Sequence, residues 1–247
     1  MQPAVPALPA ADDPAMRAVL RDGSIARLKV ADQGDCEAVR RFFHDLSPES
    51  RRLRFFTIAQ PAKELVARLC DSSDPGRGVT LLAMRLVDEQ LRPIAVGSYI
   101  AIDHATAEAA FAVDDRFQGK GLGTILLERL AAMAAQRGFR RFEAITLPDN
   151  HAMLEVFHDS GFEIRSKSDP GTVTVTLSLS PTNETVAAAD RRVALATAQS
   201  LRPVLEPASV AVLGASRDPS SIGRRVLRAL VNDGFHGPIY PVNPAAT

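Results

Sequence analysis

Arg116-Phe117-Gln118-Gly119-Lys120-Gly121-Leu122-Gly123-Thr124 is the stretch on which the reading of this chain turns. It follows an apolar run, Ala107-Glu108-Ala109-Ala110-Phe111-Ala112-Val113, and precedes a periodic one from Ile125 to Ala134. That order predicts a strand, a tight glycine loop and a helix. Such a loop presents several main-chain N–H groups at a helix N-terminus, where the helix dipole favours negative charge. Glycines let the backbone approach a ligand with no Cβ in the way. A diphosphate is the natural occupant, although a Gly-x-Gly pattern taken alone serves equally as a plain turn.

Composition narrows the field. The 247 residues leave room for two small domains, or one and a fraction. Lys and Arg number 29 and Asp and Glu 29, so there is no electrostatic case for a nucleic-acid or membrane-surface protein. Trp is absent and aromatic residues make up 5%, which argues against base-stacking platforms. The two cysteines, Cys36 and Cys70, sit in amphipathic stretches without a CxxC or a histidine at ligand spacing; they read as thiols in a reducing, cytoplasmic setting. No apolar run reaches the length of a membrane span, and the proline-broken N-terminus is no secretory signal.

Outward from the loop, the pattern predicts a leader over residues 1–20 with a short helix near Met16–Leu20, then a first strand over Gly23–Val30. Asp32 caps a helix carrying Val39, Phe42 and Phe43. Ser47-Pro48 opens another, and Pro61–Leu69 a third. Val79–Val87 and Ile94–Ile102 form a hairpin across the Asp-Glu-Gln-Leu-Arg-Pro stretch. A helix over 121–137 stops at Gly138, a strand follows over Phe139–Leu147, and a helix over His151–Ser160 stops at Gly161. Phe162–Arg165 and Val173–Leu179 are strands. Residues 181–207 read as a linker, helical over Glu184–Ser200. Ser209–Gly214, Ser221–Asp233 and Gly237–Asn243 make one further βαβ unit.

Gln118-x-x-Gly121-x-Gly123, followed at a distance by Asn150-His-Ala-Met-Leu-Glu-Val-Phe157-His-Asp-Ser-Gly161-Phe162, resembles the two signature segments of the GNAT N-acetyltransferase superfamily. Leu20-Arg-Asp-Gly-Ser24 and Leu46-Ser-Pro-Glu-Ser-Arg-Arg-Leu-Arg-Phe-Phe56 are similar to the acetyltransferase domain of bacterial Pat-type protein lysine acetyltransferases. Ala208-Ser-Val-Ala-Val-Leu-Gly-Ala-Ser216, Ile222-Gly223 and Gly237-Pro-Ile-Tyr-Pro-Val-Asn-Pro244 resemble the start of the CoA-binding domain of NDP-forming acyl-CoA synthetases. The resemblance implies an α/β (α+β) GNAT fold with a mixed, splayed central sheet over 21–180. After the linker, 208–247 would be an incomplete Rossmann-like CoA-binding domain.

It also implies acetyl-CoA as cofactor. The amides of Gln118, Gly119, Lys120, Gly121, Leu122 and Gly123 would hold its diphosphate, with the Thr124 hydroxyl at the helix start. The main chain of Phe111, Ala112 and Val113 would face the cofactor and the thioester oxygen, and Asn150 and Phe157 would border the cofactor arm. Arg116 and Lys120 read either as phosphate partners or as solvated loop charges.

Acetyl transfer to an amine needs a neutral nucleophile, whereas a lysine amine has a pKa of about 10.4. A base must take its proton. Glu108 stands in an otherwise apolar strand entry, where desolvation would raise a carboxylate pKa, and it aligns with the glutamate of Pat-type enzymes. Many family members carry Tyr seven residues after the Asn, as general acid for the thiolate; here that position is Phe157. The thiolate then leaves unaided, or water or Ser160 assists. Glu49, Arg51, Arg52 and Arg54 are candidates for the acceptor side. The acceptor reads as a protein lysine, with an acyl-CoA synthetase as a candidate partner and no nucleic acid or membrane; a small amine, or a non-catalytic CoA-sensing role, stays open.

Overall fold

The computed structural model describes residues 16–180 and 182–243; the first fifteen residues of the leader expected over 1–20 and the end of the tail motif at Pro244 lie outside them. The described chain divides into two units, the first reaching Thr197 and the second running from Ala198.

The first unit is built on one eight-stranded sheet with the strand order β1-β2-β3-β4-β5-β6-β8-β7. Its strands are β1 (Arg17–Val19), β2 (Ile25–Val30), β3 (Gly78–Val87), β4 (Gln90–Ala101), β5 (Thr106–Val113), β6 (Arg141–Thr146), β7 (Ile164–Asp169) and β8 (Thr172–Ser178). Every neighbouring pair is antiparallel except β5 and β6. Those two share a parallel register only at Thr106–Arg141, Ala107–Phe142 and Glu108–Glu143. Beyond Glu108 they part, and among the described residues the Ala109–Val113 edge of β5 has no strand partner on that side.

Among the described residues six helices accompany the sheet: α1 (Cys36–Asp45), α2 (Pro48–Phe55), α3 (Lys63–Leu69), α4 (Leu122–Gln136), α5 (His151–Asp159) and α6 (Asn183–Leu205), the last passing into the second unit. One sheet face receives α4 through Leu126, Leu127, Leu130 and Ala134, together with Tyr99 and Phe142, all buried. The other receives Val39, Phe42 and Phe43 of α1 and Val66 and Leu69 of α3, over Leu82, Val96 and Ala112. Both cysteines are free thiols bordering this second core; burial first, and then the neighbouring Cys36 thiol, push Cys70 up to about 12. Helix α4 lies close on β4 because Gly97 has no side chain. A Cβ there would stand 3.0 Å from Phe111, 3.1 Å from Leu130 and 3.2 Å from Leu126. Gly97→Val is therefore expected to cost about 1–3 kcal/mol of stability by overpacking, read from the midpoint of urea unfolding.

Two expectations need correction. Arg17–Val19 is an edge strand paired with β2, not a helix in a mobile leader, and Met16, Ala18 and Leu20 are buried in the core. Their alternation is too short to stand out beside the Ala- and Pro-rich stretch that precedes it. The β3–β4 loop is only Asp88-Glu89, both at positive φ (51° and 62°), and β4 already begins at Gln90. Pro93 fits inside β4 because the register slips there: Met84 pairs with Pro93 while Ala83 pairs with Ala95.

The second unit carries β9 (Val210–Leu213), α7 (Ile222–Asn232) and β10 (Ile239–Val242), with β10 parallel to β9. Ser221 caps α7 by accepting from the Arg224 N–H. Gly223 packs on the Gly214 carbonyl so closely that no side chain fits.

Candidate active site

β5 ends at Val113, and a short turn over Asp115–Phe117 leads into the glycine loop and α4. Asp115 ties this turn to α2. Its carboxylate accepts from the Ser47 N–H (3.0 Å), the Ser47 hydroxyl (2.8 Å) and the Ser50 hydroxyl (2.7 Å). Partial burial pushes the Asp115 carboxyl up, but these donors outweigh it and hold it below the ordinary 3.8. A depressed folded-state pKa contributes stability above the unfolded value and loses it as pH falls through the folded one. Asp115→Ala should therefore cost about 0.5–1 kcal/mol at neutral pH, a figure reduced by the screening of an exposed carboxylate. The gap to the parent chain should close below about pH 4 in acid-unfolding curves.

Gln118 completes the join, its Nε2 donating to the Ser50 hydroxyl (3.2 Å) and the Val113 carbonyl (3.3 Å). Gly119 and Gly121 both take positive φ, 72° and 85°. No side chain caps the N-terminus of α4. The first-turn N–H groups are thus directed at whatever fills the space in front of them.

That space is a cavity of about 950 Å³, counting its open mouth. From β5 it is lined by Phe111, Ala112 and Val113; from the loop and helix start by Gln118, Gly119 and Gly121 to Thr124; from α5 by Asn150. Asn150 also caps α5, its Oδ1 accepting from the Met153 N–H at 3.2 Å. The cradle fits a diphosphate: nothing lies within 4 Å of where a Gly119 Cβ would stand, and the unpaired β5 edge adjoins it.

Other residues singled out in the sequence lie elsewhere. Lys120 does not line the cavity. Its Nζ bonds to Asp22 at 2.7 Å, drawn there by the turn before β2. Partial burial pushes the Asp22 carboxyl up, yet hydrogen bonds from Lys120 and Ser24 hold it well below the carboxylate range. Arg116 is likewise held by its neighbour Asp114, at 3.0 Å. Phe157 is buried in the core because it lies on the sheet-facing side of α5; Met153 and Val156 line the cavity instead. Ser160 is buried too, its hydroxyl donating to the Phe157 carbonyl at 2.5 Å.

Glu108 stands at the last rung shared by β5 and β6, paired with Ile100 on one side and Glu143 on the other. It is exposed, not desolvated. The apolar neighbours in its sequence, Ala107, Ala109 and Phe111, turn to the opposite face of the strand. Its electrostatic partner comes from α2. Arg54 is half-buried and lines the cavity, its guanidinium 4.8 Å from the centre of the Phe55 ring. Burial pushes Arg54 down to about 10, against the pull of the Glu108 charge, and leaves it a cation at neutral pH.

The three arginines of α2, alike in the sequence, thus separate. Arg51 donates to the carbonyls of His44, Leu46 and Ile58, Arg52 pairs with Glu49 and Asp149, and only Arg54 reaches the cavity. Arg21, just before β2, also lines it, and nothing in its local sequence signals that place. Among the described residues no cluster of His, Cys, Asp and Glu could hold a metal ion, and no helix is long and apolar enough to cross a membrane.

Comparison with known proteins agrees with this geometry. Residues 41–162 match the model of the acetyltransferase (GNAT) family, and residues 208–247 that of a CoA binding domain. The crystal structure of the GNAT domain of S. lividans PAT is 33% identical, with 66% of this chain and 95% of that one superposed at a TM-score of 0.59. The acetyltransferase Pat of Mycolicibacterium smegmatis is 28% identical over 165 residues, 66% of this chain; the chain spans about half of that relative's length, 48%. In the tail, the alpha subunit of the ADP-forming acetate–CoA ligase I of Pyrococcus furiosus is 48% identical over 44 residues, 18% of this chain and 10% of the subunit. The parting parallel strand pair and the uncapped glycine-rich helix start beside it leave room and free main-chain donors for an anionic cofactor, and the chain belongs to the GNAT acetyltransferases, enzymes whose cofactor is acetyl-CoA.

Proposed function

We propose that the chain acetylates lysine side chains of proteins by direct transfer, with Glu108 as the base. The observation that carries this reading is the position of Glu108 at the point where β5 and β6 separate, exposed to an incoming acceptor and opposed by the charge of Arg54. When bound, acetyl-CoA supplies an activated acyl group and a thiolate leaving group.

The amides of Gln118 to Gly123 hold the cofactor at the N-terminus of α4, and main-chain groups of Phe111 to Val113 orient the acyl carbonyl. Glu108 accepts the ammonium proton of the acceptor, leaving the neutral amine as nucleophile. Phe157 has no acidic proton and the Ser160 hydroxyl is engaged by the Phe157 carbonyl, so neither side chain serves as a proton donor to the thiolate. An exposed carboxylate where β5 and β6 separate suits a lysine carried on a protein surface. The CoA-binding tail and its ligase relative favour an acyl-CoA synthetase as the acceptor protein. We take the tail, 208–247, as a separate CoA-binding segment.

Incubation with labelled acetyl-CoA, purified acyl-CoA synthetases and a panel of free amines tests the reading. Label on a synthetase lysine, located by peptide mapping, is the expected result. Transfer to free amines alone would replace it with a small-molecule acceptor.

A further inference from the structure

We propose that Arg21 is the cation that holds the diphosphate of acetyl-CoA against the glycine loop. This assignment rests on acetyl-CoA occupying the cavity described above. The arginine and lysine side chains near the loop start have different engagements. Lys120 is bound to Asp22 at 2.7 Å and Arg116 to Asp114 at 3.0 Å. Arg192 of α6 is paired with Glu128 and donates to the Asp159 carbonyl. Of the two arginines that line the cavity, Arg54 stands on the α2 side, near Glu108.

Arg21 is at the other end, beside the helix start. Its main-chain N–H donates to the Lys120 carbonyl at 3.0 Å, which fixes its backbone to the loop. Its side chain passes directly over Gly121: a Cβ on that glycine would stand 3.3 Å from Arg21 Cγ and 3.5 Å from Nε. Among the described residues the guanidinium meets one carboxylate, Asp159, at 3.8 Å, and both side chains are more than half exposed. So long and solvated a pair contributes little, and a phosphate oxygen would displace it. An arginine fork above a ring of main-chain amides is the arrangement that binds a diphosphate in two places at once.

Isothermal titration with CoA and with dephospho-CoA tests this. Arg21→Gln is expected to weaken CoA at least about tenfold, the scale of a hydrogen bond to a charged group, and dephospho-CoA by the same factor. Arg21→Lys, which keeps the charge and the main-chain bond to Lys120 but loses the two-pronged fork, should recover only part of the loss. The heat belonging to this cavity, rather than to the tail, is the part that Gly121→Val removes. Unchanged CoA affinity in Arg21→Gln, with the parent chain binding normally, would overturn the assignment of Arg21 alone. A loss seen with CoA and absent with dephospho-CoA would move Arg21 to the 3′-phosphate and overturn its diphosphate role. A parent chain with no heat attributable to this cavity would overturn the cofactor reading together with it.

Discussion

Glu108→Gln should lower turnover by about a hundredfold or more, the scale of a lost general base, while leaving acetyl-CoA affinity within about twofold. The two halves of that expectation come from different observations. Loss of rate follows from the position of the carboxylate where β5 leaves β6. Preserved affinity follows from its absence from the cavity wall, which is built from later β5 residues, the loop and α5. The amide is isosteric, exposed and free of burial constraints, so the fold should be untouched. Single-turnover rates with a saturating acceptor, beside calorimetric binding of acetyl-CoA, separate the two. Unaltered turnover would take Glu108 out of the chemistry, and a non-catalytic CoA-sensing role would then stand first.

The second large effect is expected at Gly121, where Val should weaken acetyl-CoA binding by roughly tenfold to a hundredfold. A β-branched side chain at φ 85° is strained by about 1–3 kcal/mol. Its Cβ would also meet the Arg21 side chain at 3.3 Å. The loop can relieve both only by rotating the peptide groups that open α4, which withdraws their N–H groups from the ligand. Equilibrium dialysis with labelled acetyl-CoA provides the measurement, and a retained affinity would mean that the loop amides do not grip the cofactor. Gly121→Ala, without the branch, should lose less.

How much of this was legible beforehand depends on the range of the interactions. Local signals read well: the strand–loop–helix around Gly121, the helix start at Ser47-Pro48, and the stop glycines at 138 and 161 all act within a few residues. The β-αβ tail was readable for the same reason. What failed was set by partners distant in the chain. Lys120 is claimed by Asp22, 98 positions away, and no local pattern encodes that. Arg21 reaches the cavity only because β2 lies at the far side of the sheet and its preceding turn folds back to the Lys120 carbonyl. Cys36 and Cys70 looked independent until α1 and α3 packed side by side. Glu108 illustrates a different error: sequence neighbours in a strand are not spatial neighbours, so its alanine-rich surroundings said nothing about its own face. Arg54 could have been separated from Arg51 and Arg52 only by knowing which side of α2 meets β5.

Helix α6 has a practical consequence for anyone cutting this chain. Its first half is built into the catalytic unit: a Cβ on Gly161 would stand 3.1 Å from the Glu184 carbonyl and 3.2 Å from Ala188, and Arg192 neutralises Glu128. An expression fragment ended where the sheet ends, near residue 180, would strip that cover and leave Glu128 without its counter-ion. The usable terminus of a stand-alone catalytic fragment therefore falls past Arg192, inside what the sequence marks as mere connector.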